Sequence, residues 1–401
     1  MPAFHKRWFY RSKLMLMRSF LTNPQPRPLL LLGKGSTLNL CSTIAQFGLK
    51  RPLIVTDKPL RELGVLDAAC AALESHGLQV QIYDGVLPDP TAAIVNAGIA
   101  RYRQNNCDSV LAFGGGSSID CAKVVALAAA NNCSAEECIG VGKCKLPSAP
   151  LFAVPTTAGT GSEATFIAVI SDDVTHEKGA VIDAKIVPRA AALDPELMQG
   201  LPPHITAATG MDALTHAIES YIGTIETEDT NYFGLAASKL IFDNLAEAYH
   251  NGENLAAREA MSLASYYGGL AITNALVGYV HAVSHNLGAR YGVPHGLGNA
   301  MVLPHVLELL KDAAAPKLAK ISIHCGFGQA GETDADLAQK LIDSIWRLNK
   351  EIGIPATTDI IKDEDIEDLV NAALAEGSSY PTPRYLESGE CRELISGLQT
   401  K

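Results

Sequence analysis

The stretch Ser109-Val110-Leu111-Ala112-Phe113-Gly114-Gly115-Gly116-Ser117-Ser118-Ile119-Asp120 decides how the first half of the chain is read. Ser109 to Phe113 is a buried-looking strand, Gly114 to Gly116 a turn, and the apolar run after it a helix reaching about Ala130. A glycine turn between strand and helix leaves backbone N–H groups free at the positive end of the helix dipole, where a phosphate fits. Without Cβ atoms in the way, a diphosphate can approach the main chain. The stretch is not G-x-G-x-x-G, because Ile119 stands where the third glycine would be. The acid that grips a ribose usually lies ~20 residues downstream. Here the candidate, Asp57, lies upstream, at the end of an earlier strand. A dinucleotide site of a different chain order and a plain phosphate site both remain open on these residues alone.

The same alternation continues outward. Pro28 to Leu32 ends at Gly33-Lys34-Gly35, Pro52 to Thr56 ends at Asp57, and Leu78 to Tyr83 is broken by Asp84-Gly85. Leu151 to Val154 leads into Pro155-Thr156-Thr157-Ala158-Gly159-Thr160-Gly161-Ser162-Glu163, a second loop rich in short hydrogen-bonding side chains. Short strands alternating with helices give a parallel sheet with helices on both faces, and two such loops at strand carboxyl ends fit a cofactor crevice. Beyond Leu193-Asp194-Pro195 and Pro202-Pro203, long Ala/Leu-rich helical segments take over. The expected organisation is an N-terminal arm over 1–27, an α/β dinucleotide-binding domain over 28–200 and an all-α domain over 201–401.

The helical half carries the chemistry. Asp212 and His216 are four residues apart, as are His281 and His285, so on helices each pair shares one face. His295, between Pro294 and Gly296, reads as a turn between helices. Four of the eleven histidines thus fall on otherwise apolar segments, and buried imidazoles need a partner. One carboxylate and several imidazoles make a site for Fe(II), Zn(II) or another divalent ion.

Composition bounds the rest. A net charge of −11 argues against nucleic acid as a partner, and no apolar run approaches the ~20 residues needed to span a bilayer. Nine cysteines without a CxxC pair point to reduced thiols and a cytoplasmic setting. Cys133, Cys138 and Cys144 lie close together, but their irregular spacing matches no zinc template and they read as loop filler. The first acid in the chain is Asp57, and the opening twenty residues mix Lys6, Arg7, Arg11, Lys13 and Arg18 with aromatic and aliphatic residues. A transit peptide would have that character, but sparse Ser and no clear cleavage context favour an arm packed on the first domain or on a partner subunit.

Taken together, these stretches resemble the iron-containing (group III) alcohol dehydrogenases, from about Pro28 to the end. The resemblance is carried by Gly33 to Ser36, Val55 to Lys58, Tyr83 to Val86, Gly114 to Asp120, Pro155 to Gly161, Gly210 to Glu219 and His281 to Gly296. It implies an α/β dinucleotide-binding domain, an all-α domain, and metal and cofactor in the cleft between them. The metal ligands fall on Asp212, His216, His281 and His295, and His285 lies near nicotinamide and substrate as the proton carrier. Asp57 selects NAD over NADP. Further cofactor contacts fall on Gly114, Gly115, Gly116, Ser117, Asp120, Thr156, Thr157, Thr160, Thr165 and Lys178. The chain departs from the family at Asp89, where Asn is common, and at Asn286 and Arg290, which replace commonly apolar residues.

The implied activity is hydride transfer between a small primary alcohol or diol and NAD, with Fe2+ as the expected ion, in a homodimer or an assembly of dimers. The alternative is a lyase or synthase of the dehydroquinate-synthase type that uses NAD transiently.

Overall fold

The computed structural model describes Arg18 and residues 21–173 and 178–400. Most of the N-terminal arm expected over 1–27 therefore lies outside the described residues. The described residues divide into two compact units: 25–200, and 201–400 together with those before Gln25.

In the first unit, β1 (Leu29–Leu32), α1 (Ser36–Gln46), β2 (Pro52–Asp57), α2 (Lys58–Glu62), α3 (Asp67–Ser75), β3 (Gln81–Val86) and α4 (Ala92–Gln104) precede β4 (Ser109–Gly114). Then come α5 (Gly116–Asn131), α6 (Ala135–Cys138), β5 (Gly140–Val141), β6 (Leu151–Pro155), β7 (Ile167–Ser171), β8 (Lys178–Ile182) and β9 (Ala190–Leu193). Six strands form a parallel sheet in the order β1-β9-β6-β4-β2-β3. Its inner strands β2, β4, β6 and β9 are buried on both faces, while the edge strand β1 leaves Leu29 and Leu32 exposed. Leu53, Val55, Val110 and Ala112 enter one core with α4 and α5, while Ile54, Leu111 and Phe113 enter the other with Leu40 and Ile44 of α1. This is the expected α/β class.

Two details differ from the sequence reading. Asp84 and Gly85 do not end a strand but lie inside β3, which starts later than expected, at Gln81. As the sheet's outer strand, β3 pairs only with β2, and a register shift between Val55 and Asp57 absorbs the irregularity. A second, three-stranded sheet, β5-β8-β7 with β7 and β8 antiparallel, was not foreseen.

In the second unit, α7 (Pro203–Ile222), α8 (Glu228–His250), α9 (Leu255–Ala275), α10 (Tyr279–Tyr291), α11 (His295–Cys325), α12 (Asp334–Glu351), α13 (Ile366–Gly377) and α14 (Ser388–Gly397) pack together. From Gly210 onward α7 is buried on every side, which is why its sequence shows no polar face. The arm was expected on the first domain or a partner, but Leu21, 1% exposed, belongs to this helical unit, and Asn274 Nδ2 donates to the carbonyls of Leu21 and Asn23. No helix among the described residues is long and apolar enough to cross a membrane.

Candidate metal and nucleotide sites

Three helices bring four side chains to one point in the second unit. Asp212 and His216 lie one turn apart on α7, His281 is on the first turn of α10, and His295 is the first residue of α11. Gly292 ends α10 in the left-handed conformation and Pro294 precedes His295, so the expected turn occupies 292–294. A Cβ on Gly296 would overlap the Ala208 carbonyl. Only glycine lets the start of α11 approach α7 closely enough for His295 to reach Asp212.

One ligand atom from each of Asp212, His216, His281 and His295 lies within 4.8 Å of the other three. Asp212 Oδ1 is 3.3 Å from His295 Nε2, 3.7 Å from His216 Nε2 and 3.9 Å from His281 Nε2. Bonds of ~2.1 Å to a tetrahedral cation place ligand atoms ~3.4 Å apart, so the spacing fits a divalent ion. The electrostatics fit as well. Burial alone would raise the Asp212 carboxyl, but His216 and His295 outweigh it and hold the group well below the usual carboxylate range. Burial, with the neighbouring imidazoles, lowers His281 well below the ordinary histidine value and keeps it neutral, the form that offers a lone pair.

Two residues that the sequence reading left without a role complete the cluster. Glu219, on the same face of α7 as Asp212 and His216, accepts from the backbone N–H groups of Gly278 and Val280 at 2.8 and 2.7 Å and faces His281 Nδ1 at 2.6 Å. Burial pushes its carboxyl up against those donors, and a cation held by His281 would favour the charged form. Nδ1–H donating to Glu219 leaves Nε2 as the lone-pair nitrogen, and such a carboxylate fixes tautomer and ring. Asn299, one turn beyond His295, places Nδ2 2.7 Å from Asp212 Oδ1 and 3.2 Å from the Nε2 atoms of His281 and His295. The i+7 and i+4 spacings were readable in the sequence; the partners were not.

His285 stands beside the cluster and outside it. Its ring stacks on His295 at 5.2 Å, and its Nδ1 lies 2.6 Å from Glu376 Oε1 on α13. The Tyr380 hydroxyl and Asn286 Nδ2 also donate to Glu376. The side chain of His285 is 27% exposed against 3% for His281, so it alone of this pair reaches solvent. The unusual Asn286 and Arg290 have their polar groups taken up by the Ala282 carbonyl and Glu376, and by Asp365.

In the first unit, the glycine turn and the threonine loop meet at the carboxyl ends of the adjacent strands β4 and β6. Thr156 N–H donates to the Gly114 carbonyl, and a Cβ on Gly116 would come within 2.6 Å of Thr160. Gly115 and Gly116 thus let Thr157 and Thr160 close over the start of α5, with Ser117 in its first turn. Asp57 ends β2, next to β4, and one carboxylate oxygen caps α2 through Leu60 N–H at 2.9 Å. The chain runs outward from β2 to β3 and inward from β4 to β6, so Asp57 and Gly114 flank the point where strand order reverses.

Other expected cofactor contacts have inward partners. Asp120 accepts from Ser162 Oγ at 2.5 Å and Val169 N–H at 2.9 Å, while Thr165 accepts from Lys123 Nζ at 2.8 Å. Burial lowers Lys123 to about 8 against the pull of Asp120 and Glu163. This buried network braces the two loops from beneath. Lys178 Nζ pairs with Asp89 Oδ1 at 3.2 Å, and Asp89 has a left-handed backbone (φ 51°) that Asp tolerates.

A glycine turn at the switch point of a parallel sheet and a buried Asp/His₃ cluster on a helical unit fit an enzyme that uses a nucleotide cofactor and a divalent metal. Residues 28–195 match the model of the iron-containing alcohol dehydrogenases, and residues 206–398 match that of the C-terminal region of the Fe-containing alcohol dehydrogenase family. The chain is 40% identical to alcohol dehydrogenase 4 of Schizosaccharomyces pombe, over 88% of its own length and 83% of that protein. It is 38% identical to an NAD-dependent methanol dehydrogenase of Bacillus methanolicus, over 94% and 99%. The crystal structure of a 1,3-propanediol oxidoreductase superposes with a TM-score of 0.89 at 36% identity, covering 93% of this chain and 99% of that one. The chain belongs to the iron-containing alcohol dehydrogenase family.

Proposed function

We propose that this protein is an NAD-linked alcohol dehydrogenase and aldehyde reductase acting on small primary alcohols or diols, with Asp212, His216, His281 and His295 holding the divalent ion. The observation that carries the reading is the meeting of those four ligand atoms within 4.8 Å. NAD and a divalent cation, Fe2+ foremost, supply a hydride acceptor and a Lewis acid when bound.

The protein's own groups do the rest. Glu219 fixes the His281 ring and Asn299 reaches Asp212, so the donors are preorganised. Gly114, Gly115, Gly116 and Ser117 offer backbone N–H groups to a diphosphate, and Thr156, Thr157 and Thr160 line the facing loop. Asp120 and Thr165 act from below by holding that loop, and Lys178, paired with Asp89, borders the cofactor. His285 takes the alcohol proton and passes it toward solvent, oriented by Glu376.

An alcohol panel tests the reading: NADH should accumulate, with anaerobically loaded Fe2+, for primary alcohols or diols. Reduced nicotinamide that never leaves the enzyme would instead support the lyase alternative. The dehydrogenase names of both relatives favour net oxidation. The reading extends to a cytoplasmic setting, which nine free cysteines suit, and to a homodimer or assembly of dimers, as the family resemblance implies.

Two variants separate the roles. Asp57→Gly should shift the NAD/NADP ratio of kcat/KM toward NADP by roughly tenfold or more, about 1.4 kcal/mol, because a carboxylate no longer faces the 2′-phosphate. An unchanged ratio refutes that assignment. His285→Ala should retain the metal and lose roughly 10²–10⁴ in kcat, the range for a positioned proton carrier. Loss of metal in this variant would make His285 a ligand.

A further inference from the structure

The α/β unit holds a second group of ligand-type side chains, far in sequence from the Asp/His cluster. Cys133, Cys138 and Cys144, between the end of α5 and the start of β6, place their sulfurs 3.5, 3.5 and 3.9 Å apart in a closed triangle. None of the three forms a disulfide. Among the described residues they are the one group of cysteines close enough to share an ion. Thiolates bonded to a tetrahedral zinc at ~2.3 Å lie ~3.8 Å apart, within the range of these separations.

The loop that carries them is fastened at both ends. Asn131 Nδ2 donates to the Leu146 carbonyl at 3.1 Å, and Leu146 N–H returns a bond to Asn131 Oδ1 at 2.8 Å. Asn132 turns the chain in the left-handed conformation, and Ser134 and Glu137 form a capping box that fixes α6, whose last residue is Cys138. Between Cys138 and Cys144, β5 pairs with β8. Three thiols on a loop held this way are preorganised, which loose packing of small apolar side chains does not require. Three thiolates around a doubly charged ion carry one net negative charge. Arg103 reaches the Cys133 carbonyl at 3.1 Å and Lys185, itself paired with Asp183, reaches the Cys144 carbonyl at 3.1 Å. Cys138 and Cys144 are 1% and 7% exposed, whereas half-buried Cys133 lines a surface cleft with Asn96, Ile99, Arg103, Asn132 and Glu137.

We propose that Cys133, Cys138 and Cys144 bind a zinc ion as three thiolates, with water in the fourth position on the side of the cleft. Binding replaces three S–H bonds with three Zn–S bonds and releases three protons to solvent, with no change of oxidation state. The ion staples the loop that follows α5, the helix whose other end carries the glycine turn. The site is separate from the Asp/His cluster and does not depend on the function assigned to it.

Cobalt(II) provides the test, because charge-transfer absorption from sulfur to cobalt cannot arise from an Asp/His₃ site. Full-length protein is stripped with a chelator under reducing, anaerobic conditions and titrated with Co(II). The near-ultraviolet band should reach the intensity of one thiolate-bound cobalt per chain within two equivalents, because the Asp/His cluster also takes Co(II), and vanish when Zn(II) is added. Zn(II) should also protect three thiols of the wild-type protein from a chromogenic disulfide reagent, a readout needing no variant. Cys133→Ser and Cys138→Ser should each lose the band and one equivalent of zinc per chain. Absence of the band together with equal thiol reactivity with and without Zn(II) overturns the proposal, as does a Cys138–Cys144 disulfide in freshly purified protein.

Discussion

His281→Ala and His295→Ala are each expected to strip the protein of stoichiometric divalent metal and to lower kcat/KM by roughly a thousandfold or more, ~4 kcal/mol of transition-state stabilisation. The size follows from the geometry. The ligands come from three different helices, and Asp212 Oδ1 is the common neighbour of all three imidazoles. Removing one imidazole leaves a buried carboxylate with too few partners and an ion with an incomplete shell. The α/β unit has its own core, so NADH binding, read by the fluorescence of its reduced nicotinamide, should survive in both variants. Metal analysis by emission spectrometry checks the claim, and stoichiometric metal in both variants would remove His281 and His295 from the ligand set.

Glu219→Ala should produce the second large effect, on stability as well as metal. The substitution deprives Gly278 N–H, Val280 N–H and His281 Nδ1 of their shared acceptor in a fully buried place. At about 1–3 kcal/mol for each of the three buried groups left unsatisfied, the helical unit should lose on the order of 3–9 kcal/mol. Glu219→Gln keeps the shape and one acceptor oxygen but not the charge. It should weaken metal binding roughly 10–100-fold with a much smaller change in Tm. Chelator competition and thermal melts of the apoprotein, measured side by side, distinguish a positioning role from a structural one. An unaltered metal Kd in Glu219→Gln would leave Glu219 with only the structural role.

Much of this molecule was legible in one dimension because the relevant order is local. The strand–turn–helix at Ser109 to Asp120 and the apolar runs ending at Asp57 and Pro155 carry the alternation that a parallel sheet requires, and each became a strand of that sheet. Asp212 with His216, and His281 with His285, could be paired because a helical turn fixes which side chains share a face. The break expected at Asp84-Gly85 failed because Gly85 stays in the outer strand β3 and leaves room for the Tyr83 side chain, which a Cβ there would meet at 2.8 Å.

What local order cannot reach is the partner across space. Nothing in the spacing of Glu376, 91 residues from His285, announces their 2.6 Å contact. Nor does spacing say that His281 and His295 enter the same ligand set while His285, between them in sequence, turns to a carboxylate instead; only the family resemblance implied the first part. The cysteines at 133, 138 and 144 looked unrelated because zinc spacing rules describe short knuckles; here the Asn131–Leu146 clamp and the β5–β8 pairing fold an irregular loop back on itself. By itself, then, the sequence determined the periodicities, the chain's two-part character and the kinds of donor available. Only tertiary packing decided which donors converge, because convergence depends on where helix axes cross, and that is set by close approaches such as Gly296 against Ala208 rather than by any residue's own preference.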